Sequence, residues 1–109
     1  MEDRRAESRM LCADMIEVSW PDGPERTCSA TALLEDISPS GVCLQLEKPA
    51  PLGARISWIT AGRHFNGRVR YCVYREIGYF VGVEFTPGTK WSQQDFEPQH
   101  LLDLKNLVG

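Results

Sequence analysis

The chain has 109 residues and a mass of 12.3 kDa, which suits one hydrophobic core but not two. Its hydrophobic content of 42% and charged content of 25% are ordinary for a globular domain. The formal net charge of −3 excludes a general attraction to DNA, RNA or anionic membrane, so a bound anion must meet a local cluster of cations.

The composition predicts a cytoplasmic protein without a metal or disulfide framework. No apolar run is long enough to span a bilayer, and the N-terminal part has no continuous apolar segment of the kind found in secretory signals. Cysteines occur at positions 12, 28, 43 and 72, with no Cys-x-x-Cys pair and no nearby histidine. We expect each to be a small buried apolar residue.

Residues 1–9 differ from the rest of the chain because six of them are charged and only two are apolar. Such a segment cannot bury an apolar face, and we expect it to be flexible, with the folded domain spanning residues 10–109. It contains Arg5 and Arg9 in the spacing RxxxR, preceded by Arg4. Taken alone, this pattern fits a solvated tail with Arg–Glu pairs equally well.

The next part of the chain predicts six short strands separated by turns rich in glycine and proline. These strands are expected near residues 10–19, 27–37, 42–47, 54–60, 65–73 and 79–85. Their period-two alternation places Tyr71 and Val73 on the inward face together with Phe65 and Val69. The pattern is typical of an all-β, six-stranded antiparallel β-barrel.

The last segment has a different period. Pro98 suits a first helical turn, and apolar residues recur at helical spacing at Leu101, Leu104, Leu107 and Val108. We therefore expect a C-terminal α-helix of about three turns lying against the barrel.

Residues 36–41 form the motif DxSxxG between the second and third predicted strands. Asp36 and Ser38 are two positions apart, so their side chains should project from one face of the strand. Pro39 presets the turn, and Gly41 can adopt a positive φ or admit a ligand. Taken alone, the motif also fits an ordinary hairpin turn.

In combination, these patterns resemble the PilZ domain family. An arginine cluster precedes the first strand, and DxSxxG follows the second. Gly67 and Val69 stand in a later Gly-x-Val-x-Arg, and the run at 78–85 also fits. The resemblance covers nearly the whole chain, roughly residues 4 to 107.

The resemblance implies a receptor for cyclic di-GMP, a ligand with two phosphates and two guanines, and no other cofactor. By motif position, Arg5 and Arg9 would bind phosphates and guanine edges, since an arginine fork matches two acceptors at once. Asp36 would accept hydrogen bonds from a guanine, Ser38 would offer its hydroxyl, and Gly41 would permit close approach.

Arg4 extends the arginine pair, and in this family an arginine there accompanies binding of two stacked ligands. The resemblance thus implies two cyclic di-GMP molecules per chain. Arg68 and Arg70 fall on the outward side of their strand and either add a contact or are solvated surface arginines. Ligand binding would change the surface that a downstream protein partner meets.

Other functions have weaker support in the sequence. Some PilZ domains no longer bind the nucleotide and serve as protein-interaction adaptors, although here both motifs are intact. An OB-like binder of single-stranded nucleic acid is disfavoured by the net negative charge. We expect no enzymatic activity, since His64 and His100 have no nucleophile or acid–base partner at a motif spacing.

Overall fold

The computed structural model of the protein describes residues 10–91 and, further along the chain, the backbone of residues 102–103. The described residues form seven strands: β1 Met10–Pro21, β2 Thr27–Ser38, β3 Gly41–Leu46, β4 Arg55–Thr60, β5 Arg63–Arg75, β6 Gly78–Phe85 and β7 Leu102–Asp103.

Six of these strands close into an antiparallel barrel, which confirms the predicted architecture. The order around the barrel is β1-β2-β3-β6-β5-β4, and β4 returns to β1 at the pair Ser19 and Ser57. The β1–β2 hairpin is the longest pairing, running from Met10 opposite Ile37 to Pro21 opposite Thr27. Closure pairs most strand edges within one sheet.

The core lies inside the barrel and follows the alternation predicted for most strands. Ile56 and Trp58 on β4 are buried, as are Val81, Val83 and Phe85 on β6. Aromatic rings fill the centre: the Trp58 and Phe65 rings stack with centroids 5.5 Å apart, while the Phe65 and Phe85 centroids are 5.8 Å apart. These contacts hold β4, β5 and β6 as one wall.

The second half of β5 faces the opposite way from the prediction. Val69 is opposite Val83 and Tyr71 is opposite Gly82, so Arg70 is an extra residue in the ladder. Such a bulge reverses the facing of every later side chain. Tyr71 and Val73 are therefore on the outer face, each 43% exposed, and were wrongly predicted to point inward.

The predicted C-terminal helix is wrong where the structure describes this segment. Leu102 and Asp103 form β7, which pairs antiparallel with Leu11 and Met10 of β1. The described residues contain strands and turns but no α-helix. The rest of the predicted helix, residues 98–101 and 104–109, lies outside the described residues. The β1 backbone offers β7 inter-strand hydrogen bonds, and such tertiary pairing overrides a local helical spacing.

Candidate functional site

The DxSxxG motif folds as a two-residue turn between β2 and β3. Ser38 is opposite Gly41, with Pro39 and Ser40 between them. The Ser38 hydroxyl donates to the Gly41 carbonyl at 3.3 Å, and Ser38 is only 8% exposed. This hydroxyl therefore fastens the turn, and a ligand would have to share it or replace its present acceptor.

Asp36 lies beside this turn at the centre of the β1–β2–β3 wall. It is half-buried, opposite Leu11 on one side and Cys43 on the other. The buried Ile37 separates it from Ser38, so both polar side chains belong to the outer face, as predicted. Glu35 is an extra residue in the β2–β3 ladder, so it precedes Asp36 at a bulge.

The surroundings of Asp36 are strongly acidic. Burial and the neighbouring Asp36 carboxylate raise the pKa of Glu35. Burial, followed by the charges of Asp14, Asp36 and Glu35, raises the pKa of the Cys12 thiol to about 12. Asp14, Glu35 and Asp36 thus lie close enough to Cys12 for their charges to act on its thiol.

Gly41 has a structural role within the barrel. An added Cβ would lie 2.3 Å from the Val83 carbonyl oxygen of β6, and Gly41 does not adopt a positive φ. Only glycine lets β3 lie this close to β6. The glycine of the motif is therefore required by strand packing, irrespective of any ligand.

Arg68 and Arg70 lie on the outer face of β5, as predicted, and both have intramolecular partners. Arg68 is opposite Glu84, which is in turn opposite Gly41. An Nη of Arg68 donates to the Gly53 carbonyl at 3.1 Å. The Arg70 Nε donates to a Glu84 carboxylate oxygen at 2.7 Å, and an Nη contacts the same oxygen. Glu84 lies between these two arginines and the β2–β3 turn, so Arg68 and Arg70 lie at the edge of this surface that is farther from the turn.

Tyr71 belongs to this surface and was missed by the sequence reasoning. The position of a Cβ on Gly82 would be only 2.0 Å from the Tyr71 ring, so the ring lies flat across that glycine. Its hydroxyl reaches the Cys43 sulfur at 3.6 Å, and Cys43 is directly opposite Asp36. Two strands, β3 and β6, thus separate this half-exposed aromatic face from the Asp36 carboxylate. The available signal for Tyr71 was the pairing of an aromatic residue with a glycine on the neighbouring strand.

Arg4, Arg5 and Arg9 lie outside the described residues, but their point of attachment to the barrel is defined. The first described residue, Met10, is opposite Ile37, between Asp36 and Ser38. The arginine-bearing segment therefore joins the barrel beside the DxSxxG motif.

Fold and surface together define a small all-β domain with a polar outer patch where its N-terminal segment enters. The family model described as PilZ domain matches residues 3–97. The chain belongs to the PilZ domain family, a family of cyclic di-GMP receptors whose members are binding or adaptor domains. A search of the curated proteins found no match.

Between residues 10 and 91 and at 102–103, no three metal-binding side chains converge on one point. The same stretches contain no helix capable of spanning a bilayer.

Proposed function

We propose that this chain is a cytoplasmic receptor for cyclic di-GMP that signals to a protein partner. The observation that carries the proposal is the pairing of Met10 with Ile37. It places the entry of the arginine segment next to Asp36 and Ser38, so one ligand can contact both. Family membership supports the same ligand.

The chemistry of each side chain fits part of this dinucleotide. Arg5 and Arg9 offer permanently charged forks to phosphate and to the O6/N7 edge of guanine. The Asp36 carboxylate accepts from the N1–H and N2–H₂ edge of a guanine. The acidic surroundings of Asp36 attract the arginines in turn, so the segment is drawn towards the barrel wall.

The length of the segment is sufficient for this arrangement. Arg9 is adjacent to Met10, and Arg5 is five residues from it. At up to about 3.6 Å per residue, the Arg5 backbone reaches anywhere within about 18 Å of the barrel entry. Both arginines can therefore meet a ligand that rests on Asp36.

The energetics are adequate for a physiological signal. A micromolar dissociation constant requires about 8 kcal/mol. Charge-assisted hydrogen bonds contribute about 1.5–3 kcal/mol each. Several of them therefore suffice, even after the entropic cost of ordering residues 1–9 is subtracted. Ordering this segment over the ligand changes the surface seen by a partner.

Arg4 adds a third guanidinium, and we propose that two stacked cyclic di-GMP molecules bind per chain. A guanidinium plane can stack on a purine face, which favours a sandwich of bases over a single bound dinucleotide. The Tyr71 ring, flat on the outer wall, offers a further stacking surface near Asp36.

Isothermal titration calorimetry of the full chain with cyclic di-GMP tests the proposal. We expect binding with a stoichiometry of two ligands per chain, and no comparable heat from GTP or cyclic GMP. Saturation at one ligand per chain would overturn only the proposed role of Arg4. Absence of binding at near-millimolar ligand would overturn the receptor function and leave a protein-interaction adaptor.

A further inference from the structure

One strand of the barrel has an edge that its neighbour does not cover. β2 spans Thr27–Ser38, whereas its pairing with β3 ends at Leu33 opposite Gln45. From Thr27 to Ala32, β2 pairs with β1 on one side, and none of the described strands pairs with it on the other. An edge of this kind presents backbone donors and acceptors to which an extended chain can add.

A groove of about 870 Å³ follows this edge. Its lining comes from β1, β2, the end of β3 and the β5–β6 turn: Met15, Ser29, Ala30, Thr31, Leu33, Gln45, Leu46, Glu47, Lys48 and Ile77. The Gln45 side-chain amide donates to the Ile77 carbonyl at 3.2 Å and so holds the β5–β6 turn against the end of β3. The groove is therefore bounded by fixed elements.

The groove exposes apolar side chains to water. Met15 is 64% exposed and Ile77 is 69% exposed, at opposite sides of the groove. Leu33 is directly opposite Met15 and half-buried between them. A cluster of this kind marks an interaction surface more often than scattered single residues do. An extended segment would cover it with every second side chain.

The charges at the groove favour a cationic occupant. Glu47 is exposed at its lining, and Glu17 accepts a hydrogen bond from the Thr31 hydroxyl along the β2 edge. Lys48 also lines the groove, but its ammonium lies 5.9 Å from the centroid of the Trp20 ring. The two carboxylates outnumber this one ammonium, so the charge balance at the groove favours an incoming chain that carries cations.

Because Met15 and Glu17 are two positions apart on β1, they share one face of the strand. We propose that the Thr27–Ala32 edge of β2 binds an extended segment of a partner protein that carries both apolar residues and Lys or Arg on one face. The segment adds as a strand to β2, its apolar side chains cover Met15, Leu33 and Ile77, and its cations meet Glu17 and Glu47. A second copy of this chain fits less well, because it would add the same carboxylates to the interface.

The probe is a labelled octapeptide that carries valine, lysine, valine and lysine on one face and threonine on the other, titrated into the full chain without cyclic di-GMP. The test is thereby separate from that of the proposed receptor function. We expect the amide resonances of residues 27–33 to shift and their hydrogen exchange to slow on binding. A peptide with glutamate in place of lysine, and one N-methylated at alternate residues, should bind at least about fivefold more weakly.

Matched variants locate the site on the protein. Met15→Lys and Ile77→Lys add one positive charge to the groove and remove apolar contact, so each should weaken binding about fivefold or more. The control is Ile59→Lys, which makes the same charge change at a 61% exposed position on β4. It should leave the affinity unchanged within about twofold.

Several results would overturn the proposal. These are absence of peptide binding at about 1 mM, equal binding of the N-methylated peptide, and an equal effect of the Ile59→Lys control. Slow hydrogen exchange without peptide at those amides of residues 27–32 that point away from β1 would show that the edge is already occupied by the chain itself. Concentration-dependent dimerisation that Met15→Lys abolishes would assign the edge to a second copy.

Discussion

At the scale of single residues, the proposed site combines arginine side chains, which suit the two phosphates of the ligand, with the Asp36 carboxylate, which suits a guanine. Asp36 supplies both a hydrogen-bond acceptor and a negative charge, and this charge raises the pKa of the neighbouring Glu35. Ser38 and Gly41, by contrast, are engaged in the turn itself, through a hydroxyl-to-carbonyl hydrogen bond and a close contact with β6. Two residues of the motif therefore hold its geometry, and the proposed recognition of the ligand falls to Asp36.

The arginine pair provides the clearest test at this scale. Substituting Arg5→Ala and Arg9→Ala together removes two charge-assisted contacts, each worth about 1.5–3 kcal/mol, so the dissociation constant should rise at least about a hundredfold. Calorimetry with cyclic di-GMP measures this. Arg26→Ala, an exposed position in the β1–β2 loop, is the matched control and should bind normally. Normal binding by the double variant would remove residues 1–9 from the site.

Glu35 offers a test of the acidic patch by pH. Its pKa is raised from 4.5 by burial and by Asp36, so the folded state holds its proton more tightly than the unfolded chain does. The ionised carboxylate therefore opposes folding above that pKa, and below 4.5 both states are protonated. Glu35→Gln should raise the unfolding temperature at pH 7 and have little effect near pH 4. An equal gain at both values, measured by thermal denaturation, would contradict this electrostatic origin.

At the scale of elements, the bulges decide which side chains reach the outer surface. Period-two alternation predicted β3, β4 and β6 well because each is regular, as the buried Leu44, Ile56 and Val81 show. It failed after Arg70, where one extra residue turns Tyr71 outward. A bulge leaves little trace in a single sequence, and the pairing of Tyr71 with a glycine can be recognised only once the register of β5 and β6 is known.

The C-terminal segment failed for a different reason. Spacing at Leu101, Leu104 and Leu107 indicated a helix, but a short helix is marginal by itself and depends on packing. β1 instead offers an edge at Met10 and Leu11, which β7 occupies. The sequence of β7 does not reveal which edge is open, because that depends on the relative lengths of distant strands.

The close approach of β3 to β6 yields a test of Gly41. Gly41→Ala would force a Cβ against the Val83 carbonyl, which is backbone and cannot rotate away. Over-packing of this kind should lower the free energy of unfolding by about 1–3 kcal/mol in the absence of ligand. Chemical denaturation measures it. Unchanged stability with lost cyclic di-GMP affinity would instead assign Gly41 to ligand approach.

At the scale of the whole molecule, barrel closure and strand stagger explain both surfaces. The sequence predicted a closed barrel but not its strand order, in which β6 lies between β3 and β5. The pairing of these neighbouring strands brings Asp36, Cys43, Gly82 and Tyr71 into one row across four strands. Because β3 is shorter than β2, half of β2 has no β3 partner at the other end of the hairpin. A ligand site and a docking edge can thus occupy opposite ends of the β1–β2 pair.

The central claim is that one ligand contacts both the N-terminal segment and the β2–β3 turn. Backbone amide NMR of the full chain, titrated with cyclic di-GMP, tests it most directly. We predict that resonances of residues 4–9 and 36–43 shift together, with a single dissociation constant, and that these regions become protected in the same titration. Two results would contradict this claim: amide resonances that do not shift in either region near millimolar ligand, or resonances that shift in only one of the two regions.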